Sequence, residues 1–302
     1  MPEHLTETVA FKVDVDTFNG TRDGVPNLLR MLEEFGIRAT FYFSLGPDNS
    51  GKAVRRLLHK GFLAKMLRTK APAMYGLKTM LYGTLLPAPV IGANLGKVMA
   101  SVKDSGHEVG IHCWDHVEWH DHLHRLTPGE VRAELEQAGS SFEKIFGCRA
   151  RTCAAPGWTV SAASFEVQDS LGLDYCSDTR GEFPFYPVLD GKRFKTLQIP
   201  STWPTMDELI GENGVTAASV NDVYLDRLRP GLNVHTIHAE LEGNAMSATF
   251  RELLTRLSDR RVRFLSLGQA CAEYGVAAPA CAVEMGYIAG RAMPVALQKG
   301  AL

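Results

Sequence analysis

Three short stretches of this sequence hold side chains able to do chemistry together. Asp14-Val-Asp16 sets two carboxylates one residue apart. On an extended strand alternate residues share a face, so both would point the same way. Two like charges that close call for a cation or a shared proton. His112-Cys-Trp-Asp-His116 sets two imidazoles at i and i+4, able to meet one metal if the turn is helical. Thr236-Ile-His238-Ala-Glu240 adds a histidine at a strand end, with Glu240 placed to orient it. Taken singly, these are equally well solvated turn acids, loop histidines and a buried histidine held by backbone. Taken together, they supply two His, one Asp, a spare carboxylate and a separate His. That inventory suits metal-assisted amide hydrolysis. A cation polarises a carbonyl and acidifies water, the spare carboxylate takes the water's proton, and the separate His protonates the leaving nitrogen. The donor set accepts divalent Zn, Co, Mn or Fe. The residues alone leave the roles of Asp14 and Asp16 interchangeable. His120, His122 and His124 alternate after the second stretch and are expected in an exposed polar loop. His235 falls on the opposite face of its strand from His238 and is expected to be structural.

Something must bring the three stretches together. Val9–Val15, Arg38–Ser44, Glu108–His112, Arg149–Ala154, Phe194–Ile199, Asn233–His238 and Val262–Leu265 predict strands by alternation or by short apolar runs. Between them, Val25, Leu28, Leu29, Leu32 and Phe35 repeat at helical spacing, as do Val131, Leu135, Ala138, Phe142 and Ile145. Thr127-Pro-Gly-Glu130 has the form of a capping box, and Gly147 can end the helix it opens. A last short helix is expected from about Ser266. Strands alternating with helices imply a mostly parallel α/β sheet or barrel, whose active site gathers at the carboxyl ends of its strands. The three polar stretches follow such ends.

The chain has 302 residues, 45% hydrophobic and 22% charged, with net charge −2. That is ordinary globular composition, with no global charge pointing to nucleic acid. The start of the chain is polar and lacks the apolar core of a signal peptide, and no run of about 18 uncharged apolar residues exists to span a bilayer. Six cysteines without a Cys-x-x-Cys pair suggest reduced thiols in a cytoplasmic protein. The expected organisation is one domain over 9–275, with a tail over 276–302 whose role the residues do not indicate.

The Asp-x-Asp pair, the His-x-x-x-His pair and the strand ending at His238 resemble the NodB-type polysaccharide deacetylases, carbohydrate esterase family 4. The resemblance implies a distorted (β/α) barrel with an Asp-His-His metal site. It implies Asp14 as base, Asp16, His112 and His116 as metal ligands, and His238 as acid. The sequence departs from that family twice. Val15 separates the aspartates, and the third-motif region, Thr152-Cys-Ala-Ala-Pro-Gly-Trp158, lacks the family's Arg; Arg180 is a candidate substitute. The segments Asp14–Arg22, Gly46-Pro-Asp-Asn49, Trp114-Asp-His116, Ser177-Asp-Thr-Arg-Gly181, Gln198-Ile-Pro200 and Thr236–Glu240 resemble one branch of the family, from about Phe11 to Gly268. That branch removes the N-formyl group of an aminoarabinose carried on undecaprenyl phosphate, in the lipid A modification that confers polymyxin resistance. Arg22, Tyr42, Trp158, Arg180 and Trp203 are candidates for binding its sugar or phosphate.

A separate feature bears on a lipid-borne substrate. From Asn49 to Lys103 there is no Asp or Glu, while ten Lys and Arg interleave with apolar residues such as Leu57, Phe62, Met66 and Leu77. The segment predicts basic amphipathic helices lying on an anionic membrane surface, which the resemblance implies is the cytoplasmic face of a bacterial inner membrane. The alternatives are a soluble deacylase of sugars or small amides, and a lipid-binding protein on an inactive hydrolase fold.

Overall fold

The first predicted strand forms over Glu7–Val15, and all but its first residue is buried. Burial on both faces marks a parallel strand covered by helices. The computed structural model describes residues 6–53 and 79–301. Its strands in chain order are β1 (Glu7–Val15), β2 (Thr40–Ser44), β3 (Glu108–Cys113), β4 (Thr152–Cys153), β5 (Tyr175–Cys176), β6 (Tyr186–Leu189), β7 (Lys192–Arg193), β8 (Leu197–Gln198), β9 (Gly231–His238), β10 (Arg263–Leu265), β11 (Ala280–Gly286) and β12 (Val295–Ala301).

The main sheet is parallel and runs β9-β1-β2-β3-β4-β5-β8. β10 shares one edge of β1 with β2, pairing with Thr8–Ala10 while β2 takes Lys12–Val15. Beyond β8, Thr202 and Trp203 donate their N–H groups to Val234 O on β9, at 3.0 and 3.1 Å. The sheet therefore curls toward a barrel, as expected of the NodB type. The core lies between it and helices that include α1 (Val25–Glu34), α2 (Ile91–Asp104), α3 (His116–His122) and α4 (Pro128–Phe146). The capping box opens α4: Glu130 N donates to Thr127 Oγ1 at 3.3 Å, and Thr127 N donates to Glu130 Oε2 at 2.8 Å. Gly147, at φ 68°, closes it.

Two expectations about organisation change. The basic segment cannot run to Lys103, because α2 is the crossover helix between β2 and β3. It buries Ile91, Met99 and Val102, sets Gly92 and Gly96 against Ile145, and ties Lys103 Nζ to Phe146 O at 2.8 Å. Lys97 and Lys103 thus sit on a wall helix. Arg55, Arg56, Lys60, Lys65, Arg68, Lys70 and Lys78 lie outside the described residues. The tail, which carried no legible pattern, is the β11–β12 hairpin. β11 pairs in parallel with β6, whose other partner is β7, making a second, four-stranded sheet. Arg180 is stitched to β12, donating to Ala296 O and accepting from Gln298 N, both at 2.8 Å.

Candidate active site

The period of a strand places Lys12, Asp14 and Asp16 on one face at the carboxyl end of β1. The register of β9 sets His238 beside Asp14. His112 ends β3, and His116 reaches the same place by a route other than the expected helical turn. Trp114 N and Asp115 N both donate to Glu134 Oε1, at 2.9 and 2.6 Å, which bends the chain out of the strand. Asp115 Oδ1 then accepts from Val117 N and Glu118 N, capping α3 with His116 as its first residue. The i,i+4 spacing spans a strand-to-helix corner. It leaves His112 Nε2 3.2 Å from Asp16 Oδ1 and His116 Nε2 3.6 Å from Asp16 Oδ2.

One ligand atom from each of Asp16, His112 and His116 lies within 4.8 Å of the others. Asp16 Oδ1 and His112 Nδ1 are buried without a hydrogen-bond partner. Two imidazoles and a carboxylate converging in this way fit a divalent cation. Burial alone would raise the Asp16 pKa, but His116 and His112 outweigh it and hold the carboxyl well below its usual range.

The turn after Asp16 is held by Glu240. Its Oε1 accepts from Asp16 N at 3.0 Å and from Thr17 N and Thr17 Oγ1 at 2.8 Å. Gly20 is required here, because a Cβ would lie 1.9 Å from that oxygen. Glu240 therefore braces the Asp16–Thr17 turn, whereas the spacing suggested that it orients His238. The carboxylate nearest His238 by hydrogen bonding is Glu242, which accepts from His238 N at 2.8 Å. Burial pushes Glu240 up to about 8, with the Asp16 charge adding to it, and pushes Glu242 up to about 7. For His238, burial opposes charge, yet Asp16, Asp207, Asp14 and Glu242 together raise its pKa above the ordinary imidazole value.

Asp14 is paired with Lys12. Lys12 is wholly buried, with Nζ 3.1 Å from Asp14 Oδ2, 5.0 Å from the Trp158 ring centroid and 6.0 Å from that of Tyr42. Asp14 Oδ1 is buried and has no hydrogen-bond partner. Arg180, expected to substitute for the missing third-motif Arg, is engaged elsewhere. Its Nη1 lies 3.0 Å from both oxygens of Glu208, and its Nη2 donates to Trp203 O at 2.9 Å. Sequence reasoning missed Lys12, although its position two residues before Asp14 on the same strand was a usable signal.

The remaining candidates divide. Tyr42 is fully buried with its hydroxyl on Thr152 Oγ1, and Trp203 stacks on Tyr224 and meets His235 at a tilt in the core. Neither presents a face to a substrate. Arg22 is exposed and paired with Asp23. Trp158 is buried beside Lys12, at φ 53°, with Nε1 donating to Ser201 Oγ at 3.0 Å. A bulky residue held in the left-handed region is a strained feature of the kind that collects at functional sites. His120 is not in an exposed loop. It lies in α3 with its ring 6.0 Å from that of His116, and Gly157 is required because a Cβ there would lie 2.0 Å from its Cδ2. A second cluster of metal-ligand type, Cys153, Cys176 and Asp178, is buried beneath this turn. Asp178 is already filled by Ala155 N, Gln168 Nε2 and Gln198 Nε2, and so serves to hold the Ala155–Trp158 turn.

Residues 6–176 match the polysaccharide deacetylase family, which makes the chain a hydrolase of amide bonds. The chain belongs to that family. It is 38% identical over 268 residues, 88% of this chain and 87% of the relative, to a 4-deoxy-4-formamido-L-arabinose-phosphoundecaprenol deformylase of Shewanella sediminis. It is 32% identical over 254 residues, 82% of this chain and 87% of the relative, to the enzyme of that name in Wigglesworthia glossinidia brevipalpis. Among solved structures, a polysaccharide deacetylase from Mycobacterium smegmatis aligns with TM-score 0.63 at 18% identity, covering 91% of this chain and 92% of its own. A cobalt complex of a family 4 acetyl xylan esterase from Clostridium thermocellum aligns with TM-score 0.52 at 14% identity, covering 89% and 92%. These two share the fold.

Proposed function

We propose that this chain is a metal-dependent deformylase. Its substrate is 4-deoxy-4-formamido-L-arabinose carried on undecaprenyl phosphate, and its products are formate and the free amino sugar lipid. The observation that carries the chemistry is the convergence of Asp16, His112 and His116, with the strand neighbours Asp14 and His238 beside them. The relatives' names support the substrate, and with it a place in lipid A modification and polymyxin resistance.

Asp16, His112 and His116 would hold the cation, which when bound supplies a Lewis acid that polarises the formyl carbonyl and acidifies water. Asp14, braced by Lys12 at one oxygen, takes the proton of the attacking water through its unpartnered Oδ1. His238, whose proton affinity the carboxylates around it raise, gives a proton to the leaving nitrogen. The C–N bond breaks, the carbonyl carbon keeps the oxygen, and the sugar nitrogen leaves as an amine.

A C55 lipid substrate requires work at a membrane. Among the described residues no helix is long and apolar enough to cross one. The acid-free stretch from Asn49 to Val90 supports peripheral contact with the anionic cytoplasmic face of the inner membrane. Within it, Leu85 is 81% exposed. Formate release from the N-formyl aminoarabinose phospholipid, by metal-replete protein, tests the reading. No release, or equal release by Asp14→Ala, overturns it. Flotation with anionic vesicles tests the membrane contact, and failure to float overturns that part.

A further inference from the structure

The C-terminal hairpin does more than cover an edge. Its turn lays Gly290, at φ 77°, directly on Glu208, where a Cβ would come within 2.3 Å of the Glu208 carbonyl oxygen. The next residue, Arg291, sets its guanidinium carbon 4.6 Å from the Trp158 ring centroid and its Nε 3.4 Å from Glu208 Oε1. The Arg180 guanidinium lies 4.7 Å from the same ring centroid and holds the same carboxylate. Two guanidiniums therefore share one carboxylate over one indole. The carboxylate side chain is 1% exposed, while Arg180 is 10% and Arg291 14% exposed, so Arg291 is the most exposed member of a largely buried cluster. Asp207, the neighbouring acid, accepts from Thr205 Oγ1 at 2.6 Å and acts electrostatically on His238. Among the described residues, the two terminal nitrogens of Arg291 make no hydrogen bond.

The position of this cluster matters as much as its charge. Lys12, which pairs with Asp14, touches the same indole. The turn that carries Trp158 also packs through Gly157 on His120, which stacks on the candidate ligand His116. Trp158 thus contacts both Lys12, at the hydrolytic centre, and the Arg180–Arg291 pair. A planar guanidinium with its Nη1–Nη2 edge unused is suited to bind a phosphate oxygen pair.

We propose that Arg291, brought in by the tail and backed by Arg180 and Glu208, is the binding site for a phosphate ester on the substrate. This deepens the proposed function, in which a phosphate sits across a pyranose from the formamido group. Removing one charge-assisted hydrogen bond to that phosphate should weaken binding about ten- to hundredfold.

The test does not need deformylation. Binding of benzyl phosphate, and separately of undecaprenyl phosphate in detergent, is measured on the metal-loaded full chain. Wild type is expected to bind, Arg291→Gln to bind at least about tenfold more weakly, and Arg291→Lys to fall between, since it keeps a charge but loses the fork. The same ratio with both probes assigns the site to a lipid-borne phosphate, and a ratio with benzyl phosphate alone assigns it to a soluble ester. No binding by wild type, or equal binding by the Gln variant, overturns the proposal. If Arg291→Gln does not fold, by circular dichroism, Arg291→Lys decides, and affinity equal to wild type overturns. With the N-formyl sugar as substrate, the Gln variant should raise KM for a phosphodiester and spare kcat. A neutral alkyl glycoside should be unaffected, and an equal loss on both would overturn the site. Failure of formate release on every substrate speaks against deformylation and leaves the binding result standing.

Discussion

Lys12 Nζ lies 3.1 Å from Asp14 Oδ2, with the two side chains adjacent on one face of β1 and 0% and 5% exposed. Each charge is buried at a place where it would be costly without the other. The pair leaves Asp14 one oxygen without a partner, and it does so with a cation from the same strand. Lys12→Met should cut kcat about a hundredfold or more and destabilise the fold by about 3–5 kcal/mol, since it strands a buried carboxylate. Lys12→Arg keeps the charge and should recover most of kcat. Metal content should stay full in both. Equal kcat loss in Met and Arg variants would contradict the positioning role.

Asp14 and Asp16 should separate cleanly under substitution. Asp14→Asn is expected to bind metal at wild-type stoichiometry and lose about 10²–10⁴ in turnover. Asp16→Asn is expected to lose metal first, because its carboxylate faces both imidazoles. Metal analysis alongside formate release reads both, and a reversed pattern would mean that the roles are exchanged.

Metal should also stabilise the fold, because ligands that converge only in the native state couple binding to folding. Chelation is expected to lower Tm, and readdition of a divalent metal to restore it. His116→Ala should remove most of that metal-dependent increment. A Tm indifferent to chelator and metal would count against the assignment of Asp16, His112 and His116.

Two buried histidines away from the ligands set an acid limit. Burial drives His107, whose Nδ1 accepts from Ala39 N at 3.1 Å, down to about 4, and drives His235 down to about 3. Both are therefore neutral in the native state at a pH where the unfolded chain already binds the proton. Their stabilisation is complete above about pH 6.5 and is lost as pH falls toward 4 and 3, at about 1.4 kcal/mol per pH unit for each. Urea titrations from pH 7 to 4 should show this slope. His107→Gln, which keeps an acceptor for Ala39 N, should reduce it, and an unchanged slope would exclude His107 as a source.

Much of the fold was legible in the sequence for local reasons. β1, β2, β3 and β9 are long or strongly apolar, so their period showed, and with it the shared face of Asp14 and Asp16. The α4 boundaries followed from the Thr127 and Glu130 side chains and from Gly147, all within the helix's own residues. β5 and β7 are two residues long, and their identity as strands comes from neighbours rather than from any pattern. The tail was illegible for the same reason, since β11 is a strand because β6 and β12 flank it.

Spacing along single strands and turns was enough to single out Asp14, Asp16, His112, His116 and His238 as candidates, and the fold brings them together. What each of them touches came from the folded chain. Folding gave Lys12 to Asp14, turned Arg180 away to Glu208, moved Glu240 from His238 to the Asp16 loop, and buried Tyr42 and Trp203 in the core. It also carried Arg291 from the far end of the chain to Trp158. Strand and helix periods set which way a side chain points relative to its own backbone, and that much is written in neighbouring residues. Partners depend instead on sheet register and on packing between segments far apart in the chain.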